Sequence, residues 1–400
     1  MTLHAERELD LVLLGATGFT GALCADYLAA HVPAGCRWAL AGRSRGRLEA
    51  VRARLAAHHP SVAGLPLLLA DVSEPATLDD LAARTRVVAT TVGPYLEHGE
   101  PMVAACARAG TDYLDLTGEP EFVDRMYLGY HDEALRTGAR LVHACGFDSV
   151  PHDLGAQLTV AHLPEGVPLR VRGLVRTDAA FSGGTLASAL TAMSRTTQAR
   201  RAAADRQRVE PAPQGRRVRT TPGRPHHDPV TGFWLVPLPT IDPLVVGRSA
   251  RALPRYGPDF RYEHYAAFRR LPSLLGGVAA AGAVGAAAQV GPLRRLLQGR
   301  LPSGEGPSEE RRARSSFSVR FVGEGGGVRV RTEVRGNDPG YTETATMLAE
   351  SALCLALDDN PPTAGQVTTA VAMGPRLRRR LEQAGVRFSV TGTERLRPPA

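Results

Sequence analysis

Short apolar runs alternate with Ala-rich, helix-forming stretches along the first 150 residues of the chain. The runs with the length and apolar content of buried strands are "LDLVLLG", "RWALAGRS", "LPLLLADV", "RVVATTVGPY", "DYLDLTGE" and "ARLVHACGFDS". Stretches such as "TGALCADYLAAHV" and "GRLEAVRARLAAHH" lie between them and carry apolar residues at helical spacing. The alternation predicts an α/β domain over residues 1–150, built on a doubly wound parallel sheet.

The pattern changes after Pro151. "SSFSVRFVGEGGGVRVRTEVRG" has two alternating segments around a Gly-rich turn, which predicts a hairpin, and a strong helix is predicted over residues 342–358. We expect a second, α+β substrate domain over residues 151–400, built on an antiparallel sheet, with helix 342–358 able to return to the first domain. Residues 195–229 are rich in Arg, Gln, Pro and His, which predicts a polar helix and a long, mobile, exposed loop.

One uncharged segment, "LLGGVAAAGAVGAAAQV" over residues 274–290, has three interpretations. We favour a small-residue helix packed within the protein, because Ala and Gly are far less apolar than Leu and Ile. A helix that lies on a membrane or lines an acyl tunnel is the second interpretation, and the cationic flank "PLRRLLQGRL" suits it. A membrane span is the least favoured, because the segment is at the lower limit of length.

The basic residues of the 400-residue chain are all Arg, and the net charge is +8. Without Lys, the chain has no lysine base or Schiff-base nucleophile, and it lacks the Tyr-x-x-x-Lys pair of short-chain reductases. The arginines are scattered among acidic residues with few aromatics, so we predict no nucleic-acid partner.

Cysteine usage and the first residues indicate the compartment. The five cysteines are widely spaced and form no C-x-x-C, which is typical of reduced thiols rather than of disulfides or a zinc site. The start "MTLHAERELD" is charged and leads directly into a strand, which leaves no room for a signal peptide. We therefore expect a cytoplasmic protein and no metal site.

The first strand runs into a glycine loop, Gly15–Gly21, with glycines at the spacing G-x-x-G-x-x-G. A loop between a strand and a helix exposes unpaired N–H groups at the positive end of the helix dipole, where an anion binds. Gly15 suits the tight turn, Gly18 the approach of a pyrophosphate, and Gly21 the packing of helix on sheet. The pattern predicts a dinucleotide-binding Rossmann domain. Its predicted cofactor contacts are Gly15, Thr17, Gly18, Phe19, Thr20 and Gly21.

The end of the second strand selects the dinucleotide. NAD-dependent enzymes place an acidic residue there, whereas this chain has Arg43 and Ser44 in "LAGRSRGR". A guanidinium pairs well with a 2′-phosphate, so we predict NADP(H). Asp71, at the end of the third strand, suits either a contact with the adenine or the cap of a turn.

The nicotinamide is expected over the carboxyl ends of the strands, where the loops after the fourth to sixth strands meet. In "TTVGPYLEHGEP" the predicted cofactor contacts are Val92, Gly93 and Pro94. "DLTGE" contributes Asp115, Thr117 and Glu119, and "HACGFDSVPHDLG" ends the last strand of the domain.

The predicted proton donors at these strand ends are, in order of preference, Tyr95, His152 and Asp148. Each of them also fits a turn or cap role, and water is a further donor.

The chain resembles the saccharopine dehydrogenase-like oxidoreductases, and most of all their trans-acting enoyl reductase branch. The resemblance covers nearly the full length. It rests on "GATGFTG", "AGRS", "TVGPYLEHGEPMVAAC", "YLDLTGE", "GFDSVPHDLG", "RYGPDFRYEHY" and "DPGYTETATMLAESALCLA". It implies a Rossmann domain, a mixed α+β second domain, and NADPH-dependent reduction of an enoyl double bond on a carrier-bound polyketide or fatty-acyl chain in lipid biosynthesis.

Two alternatives stay open. A saccharopine-type amino-acid dehydrogenase would need arginines directed at substrate carboxylates, and Arg172 and Arg176 on one predicted strand suit that role. A non-catalytic, lipid-associated NADP-binding protein would bind the cofactor without turnover. The expected partner is an acyl thioester or lipid-like substrate, on an acyl carrier protein in the favoured case. Peripheral contact with the inner membrane face and homodimer formation are left open.

Overall fold

The computed structural model describes residues 7–178, 194–277, 279, 282 and 307–396. In these ranges the chain forms two β-sheets with helices packed on them. One apolar cluster extends from the first sheet through a helix between the sheets to the inner face of the second sheet. A second cluster covers the opposite face of the first sheet.

The first sheet has seven parallel strands in the order β14-β6-β5-β4-β1-β2-β3. Its strands are β1 (Leu9–Leu14), β2 (Trp38–Gly42), β3 (Leu67–Leu69), β4 (Thr85–Thr90), β5 (Asp112–Leu114), β6 (Arg140–Val142) and β14 (Gly365–Val367). In β1, Leu11 and Leu13 join the first cluster and Val12 and Leu14 the second, so both faces are covered and the run is continuously apolar. The predicted doubly wound parallel sheet is confirmed.

Seven helices of the described chain precede the second sheet. They are α1 (Phe19–His31), α2 (Arg45–His58), α3 (Pro75–Arg84), α4 (Tyr95–His98), α5 (Glu100–Ala109), α6 (Pro120–Thr137) and α7 (Val150–Ala161). Helix α7 packs on the second sheet, and a Cβ on its Gly155 would lie 2.3 Å from the ring of Phe321. Glycine at this position therefore permits the close approach of helix and sheet.

The second sheet has the order β15-β13-β12-β7-β11-β10-β9, with β8 paired to β11. Its strands are β7 (Leu169–Thr177), β8 (Arg217–Thr221), β9 (His226–Asp228), β10 (Phe233–Pro237), β11 (Asp259–Phe268), β12 (Phe317–Gly325), β13 (Val328–Gly336) and β15 (Arg387–Arg395). Most neighbouring strands of this sheet are antiparallel, as predicted, but β11 runs parallel to both β7 and β8, so the sheet is mixed. The long connection between β7 and β11 supplies the crossover that a parallel pair requires.

The predicted hairpin is confirmed as β12 and β13. Gly326 and Gly327 form its turn with φ of 56° and 73°, values that suit glycine in a two-residue turn. On β12, Phe317, Val319 and Phe321 pack into the first cluster and alternate with polar residues, so only one face of this strand joins that cluster.

Residues 195–229 are more regular than we predicted. The polar helix is present as α8 (Thr196–Val209), but the expected exposed loop contains β8 and β9. These strands are short and polar, so the sequence has none of the apolar alternation that identifies a half-buried strand. Helix α9 (Asp242–Ala252) and the short helix α10 (Glu309–Ala313) come later in the chain.

The last part of the described chain returns to the first sheet. Helix α11 (Thr342–Leu357), predicted over 342–358, packs on α1, β1 and β4, and Tyr27 donates a hydrogen bond of 2.7 Å to Glu350. After it, β14 pairs with β6 and extends the parallel sheet. Helices α12 (Thr369–Ala372) and α13 (Pro375–Gln383) lead into β15.

No helix within the described ranges is long and apolar enough to cross a membrane. Most of the uncharged segment 274–290 lies outside the described residues, so its three interpretations stay predictions.

Candidate active site

The glycine loop joins β1 to α1 at the carboxyl edge of the first sheet. Gly15 has a φ of 91°, and a Cβ there would lie 2.7 Å from Oγ1 of Thr91 and 2.9 Å from Val92. Gly21 is tighter still, because its Cβ would lie 2.1 Å from the carbonyl oxygen of Gly15. Positive φ at Gly15 and backbone contact at Gly21 both restrict these positions to glycine.

Gly18 has different surroundings. It is exposed, and a Cβ there would meet only the Gly15 carbonyl oxygen at 3.5 Å. It precedes the first residue of α1, no side chain caps this helix, and its first turn has no acidic residue. An anion can therefore approach the backbone at the positive end of the helix.

The loop after β4 flanks the glycine loop. Thr91 donates through Oγ1 to the carbonyl oxygen of Gly15 at 3.1 Å, and its backbone N–H donates to Leu14 at 3.0 Å. Gly93 is exposed and Val92 half-buried. Since β1 and β4 are neighbours whose chain connections leave in opposite directions, the glycine loop and residues 91–94 line the crevice at the switch point of the sheet.

The end of β2 carries a cation beside this crevice. Arg43 is exposed, and it has no hydrogen-bond or ion-pair partner among the residues the structure describes. Ser44 precedes α2 without capping it through its side chain. Asp71 accepts hydrogen bonds from the N–H and hydroxyl of Ser73 at 2.9 and 2.8 Å, and these bonds, with the charge of Arg43, lower its pKa. Asp71 therefore has the turn role that we considered, and the adenine contact stays a prediction.

Asp115 braces the ends of β5 and β6. Its carboxylate accepts hydrogen bonds from the backbone N–H of Thr117 at 3.0 Å and of Ala144 at 2.9 Å, and it lies 2.6 Å from Nδ1 of His143. Ala144 has a φ of 58°, an uncommon conformation for alanine. The buried Glu119 accepts from the N–H of Leu96 at 2.8 Å, so these acids hold loops together.

Tyr95 is buried, and its hydroxyl is engaged twice. It donates to the carbonyl oxygen of Thr90 and accepts from the N–H of Leu116, both at 3.1 Å. Burial and the charge of Asp115 raise the pKa of Tyr95 well above its usual value. The hydroxyl links the ends of β4 and β5 and is directed at protein backbone in this structure.

Asp148 lies where the chain leaves β6 for α7. The residue as a whole is half-buried, and Oδ2 is 3.1 Å from the position that a Cβ on Gly118 would occupy. Burial raises the pKa of Asp148 to about 6, the charge of Asp242 adds to this, and His152 acts in the opposite sense. The structure thus brings Asp148 against the loop after β5, at the carboxyl edges of two strands.

His152 belongs to a His–Asp–His cluster formed with Asp242 and His264. Its Nδ1 is 2.7 Å from Oδ1 of Asp242, and Nε2 of His264 is 3.4 Å from Oδ2 of the same carboxylate. Burial would raise the pKa of Asp242, but the two histidines outweigh it and hold that pKa below its usual range. Burial lowers the pKa of His264.

Sequence analysis missed two members of this cluster. Asp242 is the first residue of α9 and His264 lies on β11, so neither is near His152 in the chain. The only signal was the position of His264 within "RYGPDFRYEHY", one of the segments that carries the family resemblance.

The two arginines considered for an amino-acid substrate are engaged elsewhere. Nη1 of Arg172 donates to Asp228 at 2.8 Å, and the guanidinium of Arg176 stacks on the ring of Phe233 at 5.0 Å. Since Arg172 is neutralised by a neighbouring carboxylate, it is a poor receptor for a substrate carboxylate.

Comparison with known proteins adds independent findings. Residues 11–142 match the family model "Saccharopine dehydrogenase NADP binding domain". The "Trans-acting enoyl reductase" of Mycobacterium tuberculosis (strain H37Rv) is 39% identical over 428 aligned positions, which cover 98% of this chain and 99% of that protein. The protein of the same name from Mycobacterium ulcerans is 37% identical, with 97% and 99% covered.

Among solved structures, saccharopine dehydrogenase (L-Glu forming) from Saccharomyces cerevisiae has the same fold. The TM-score is 0.53 at 12% identity, over 96% of this chain and 99% of that one. The uncapped start of α1, the open space at Gly18 and the unpaired Arg43 fit the NADP(H) that the family model implies. The chain belongs to the saccharopine dehydrogenase-like, NADP-dependent oxidoreductases, in their trans-acting enoyl reductase branch.

Proposed function

We propose that the protein is an NADPH-dependent enoyl reductase that acts in trans on an α,β-unsaturated acyl thioester carried by a separate synthase. The observation that carries the proposal is a crevice suited to NADP(H) in a chain that aligns over its whole length with enoyl reductases. When bound, NADPH supplies a hydride for the β-carbon of the substrate. The protein must then stabilise the enolate and direct a proton to the α-carbon.

The residues that line the crevice are the proposed cofactor contacts. We assign the pyrophosphate to the backbone of Gly15, Thr17, Gly18, Phe19, Thr20 and Gly21, at the uncapped start of α1. Arg43 and Ser44 would hold the 2′-phosphate, because Arg43 is exposed and has no partner among the described residues. Val92, Gly93 and Pro94 would contact the nicotinamide side across the crevice.

Of the three predicted proton donors, we propose Asp148. Tyr95 and His152 are buried, and the Tyr95 hydroxyl is engaged by backbone groups, whereas Asp148 is half-buried beside the loop after β5. The effect of burial on its pKa keeps a fraction of the carboxyl protonated near neutral pH. The carboxyl would give its proton to the α-carbon and regain it from solvent.

The test is NADPH oxidation followed at 340 nm with crotonyl and longer enoyl thioesters on a carrier mimic, beside NADH and a no-substrate control. Turnover with NADPH and little with NADH is the expected result. Tight NADPH binding without turnover of any thioester would favour the non-catalytic alternative. Turnover with an amino acid and a 2-oxo acid would select the amino-acid dehydrogenase.

The proposal also covers the carrier of the acyl substrate, the cellular compartment and the oligomeric state. All five cysteines are free thiols, which supports a cytoplasmic location. An acyl carrier protein as the partner, peripheral membrane contact through residues 274–290 and homodimer formation stay predictions.

A further inference from the structure

The His–Asp–His cluster gathers three metal-binding side chains at one buried point. One ligand atom from each of His152, Asp242 and His264 lies within 4.8 Å of the others. Their side chains are 2%, 3% and 1% exposed. The three residues come from α7, α9 and β11, so the point joins the helix between the sheets to the second sheet.

Several polar atoms of the cluster have no hydrogen-bond partner among the described residues. They are Nδ1 and Nε2 of His152, Nε2 of His264 and Oδ1 of Asp242. His152 Nδ1 contacts Asp242 Oδ1 at 2.7 Å, and Nε2 of His264 lies 3.4 Å from Oδ2 of the same carboxylate. Nε2 of His152 is then left without any partner among the described residues, and a buried polar atom without a partner requires an explanation.

The surrounding residues orient the cluster as the outer shell of a metal site does. The Tyr262 hydroxyl lies 2.9 Å from Nδ1 of His264, and when it accepts the Nδ1 proton the Nε2 lone pair is directed at the cluster. Thr240 donates its hydroxyl proton to Oδ2 of Asp242. Such bonds fix ligand orientation and raise ligand basicity in metal sites.

We propose that His152, Asp242 and His264 bind a divalent transition-metal ion, of which Zn²⁺ is the reference case. Two imidazole nitrogens and one carboxylate oxygen suit Zn²⁺ and its neighbours, whereas Mg²⁺ and Ca²⁺ prefer oxygen ligands. Ligands 2.0–2.2 Å from one ion lie at mutual separations close to those seen here after small side-chain movements. The remaining position would be filled by water.

The site departs from the absence of a metal that we expected from cysteine spacing. A metal here would be coordinated by His152, Asp242 and His264 and would fasten α7 and α9 to β11. We assign it a structural role, because all three ligand side chains are buried.

The test measures metal and not activity. Protein purified without a polyhistidine tag is dialysed against Zn²⁺ and then buffer, and its metal content is determined by mass spectrometry. The expected result is a single ion per chain, visible d–d absorption after Co²⁺ replaces Zn²⁺, and a lower Tm after treatment with a strong chelator. A wild-type protein without bound metal and without the Co²⁺ absorption would overturn the proposal.

Variants locate the ion. His264→Gln and Asp242→Asn should lose it, and Tyr262→Phe, which removes an outer-shell hydrogen bond, should weaken it by about 10- to 100-fold. His143→Gln is the matched control, because His143 is also buried beside a carboxylate and also has an orphan Nε2, but it lies outside the cluster. An ion retained in His264→Gln, or lost in His143→Gln alone, would contradict the assignment.

Discussion

The glycine loop and the His–Asp–His cluster are assembled in opposite ways. The loop is one contiguous segment that presents backbone groups, and its glycines are fixed by local clashes and a positive φ. The cluster presents side chains from three separate elements, and no single segment of the sequence indicates it. A site made of backbone can therefore be recognised in the sequence, whereas a site made of distant side chains appears only when the fold is known.

The largest effect is expected at Gly21, where the backbone of α1 contacts the backbone of the glycine loop. Gly21→Ala places a Cβ 2.1 Å from the Gly15 carbonyl oxygen, so the strand and helix must separate. We expect the free energy of unfolding, measured by urea denaturation, to fall by more than about 4 kcal/mol. Gly46→Ala is the control, because nothing lies within 4 Å of that Cβ, and its stability should be unchanged or about 0.5–1 kcal/mol higher. Equal effects would show that the loop is not restricted as described.

The next largest effect is expected at Asp148, beside the loop after β5. Asp148→Asn removes the proposed proton donor and should lower kcat by about 10²- to 10⁴-fold. NADPH affinity, measured by fluorescence titration, should stay the same. Glu97→Gln, an exposed acid in the helix after β4, should retain full turnover. Unchanged kcat in Asp148→Asn would exclude Asp148 as the proton donor.

A smaller effect is expected from the cation at the end of β2. Arg43→Ala should weaken NADPH binding by about 10- to 100-fold, as for the loss of hydrogen bonds to a charged group. NADH binding should change little, because NADH has no 2′-phosphate. Arg45→Ala, the exposed neighbour, serves as control. A parallel loss of NADH affinity would mean that Arg43 acts on some other part of the dinucleotide.

The smallest effect is expected at Tyr95, and it distinguishes a structural role of this residue from a catalytic one. Tyr95→Phe removes the hydroxyl that joins Thr90 to Leu116 and should lower the free energy of unfolding by about 1–3 kcal/mol. The turnover number per folded molecule should be maintained, as measured at a temperature well below Tm. A loss of kcat with unchanged stability would return Tyr95 to the list of proton donors.

The contrast between local patterns and distant contacts also explains which parts of the fold could be predicted. Strand β1 is covered on both faces and the hairpin β12–β13 has one face in the core, so each carries its own apolar pattern. The short polar strands β8 and β9 have no such pattern and were predicted as loop. Strand β8 pairs with β11, which is distant in sequence, as in the parallel β7–β11 contact, whereas β9 pairs with the adjacent β10.

The candidate site divides in the same way. The glycine loop, Arg43 and the residues after β4 lie together at the crevice that the sequence indicated. The preference for Tyr95 over Asp148 was based on residue type and loop position, since the sequence does not indicate which hydroxyl is engaged by backbone. Asp242 and His264 became visible only through tertiary packing.

The position of β14 affects how the chain can fold as it is synthesised. Strand β6 pairs with β5 on one side, but its other edge is filled by Gly365–Val367, which leave the ribosome long after β6. During translation the nucleotide-binding sheet therefore presents an open parallel edge while most of the second sheet is being made. Such an edge can pair with other chains, so a nascent chain stalled before β14 is expected to depend on chaperones.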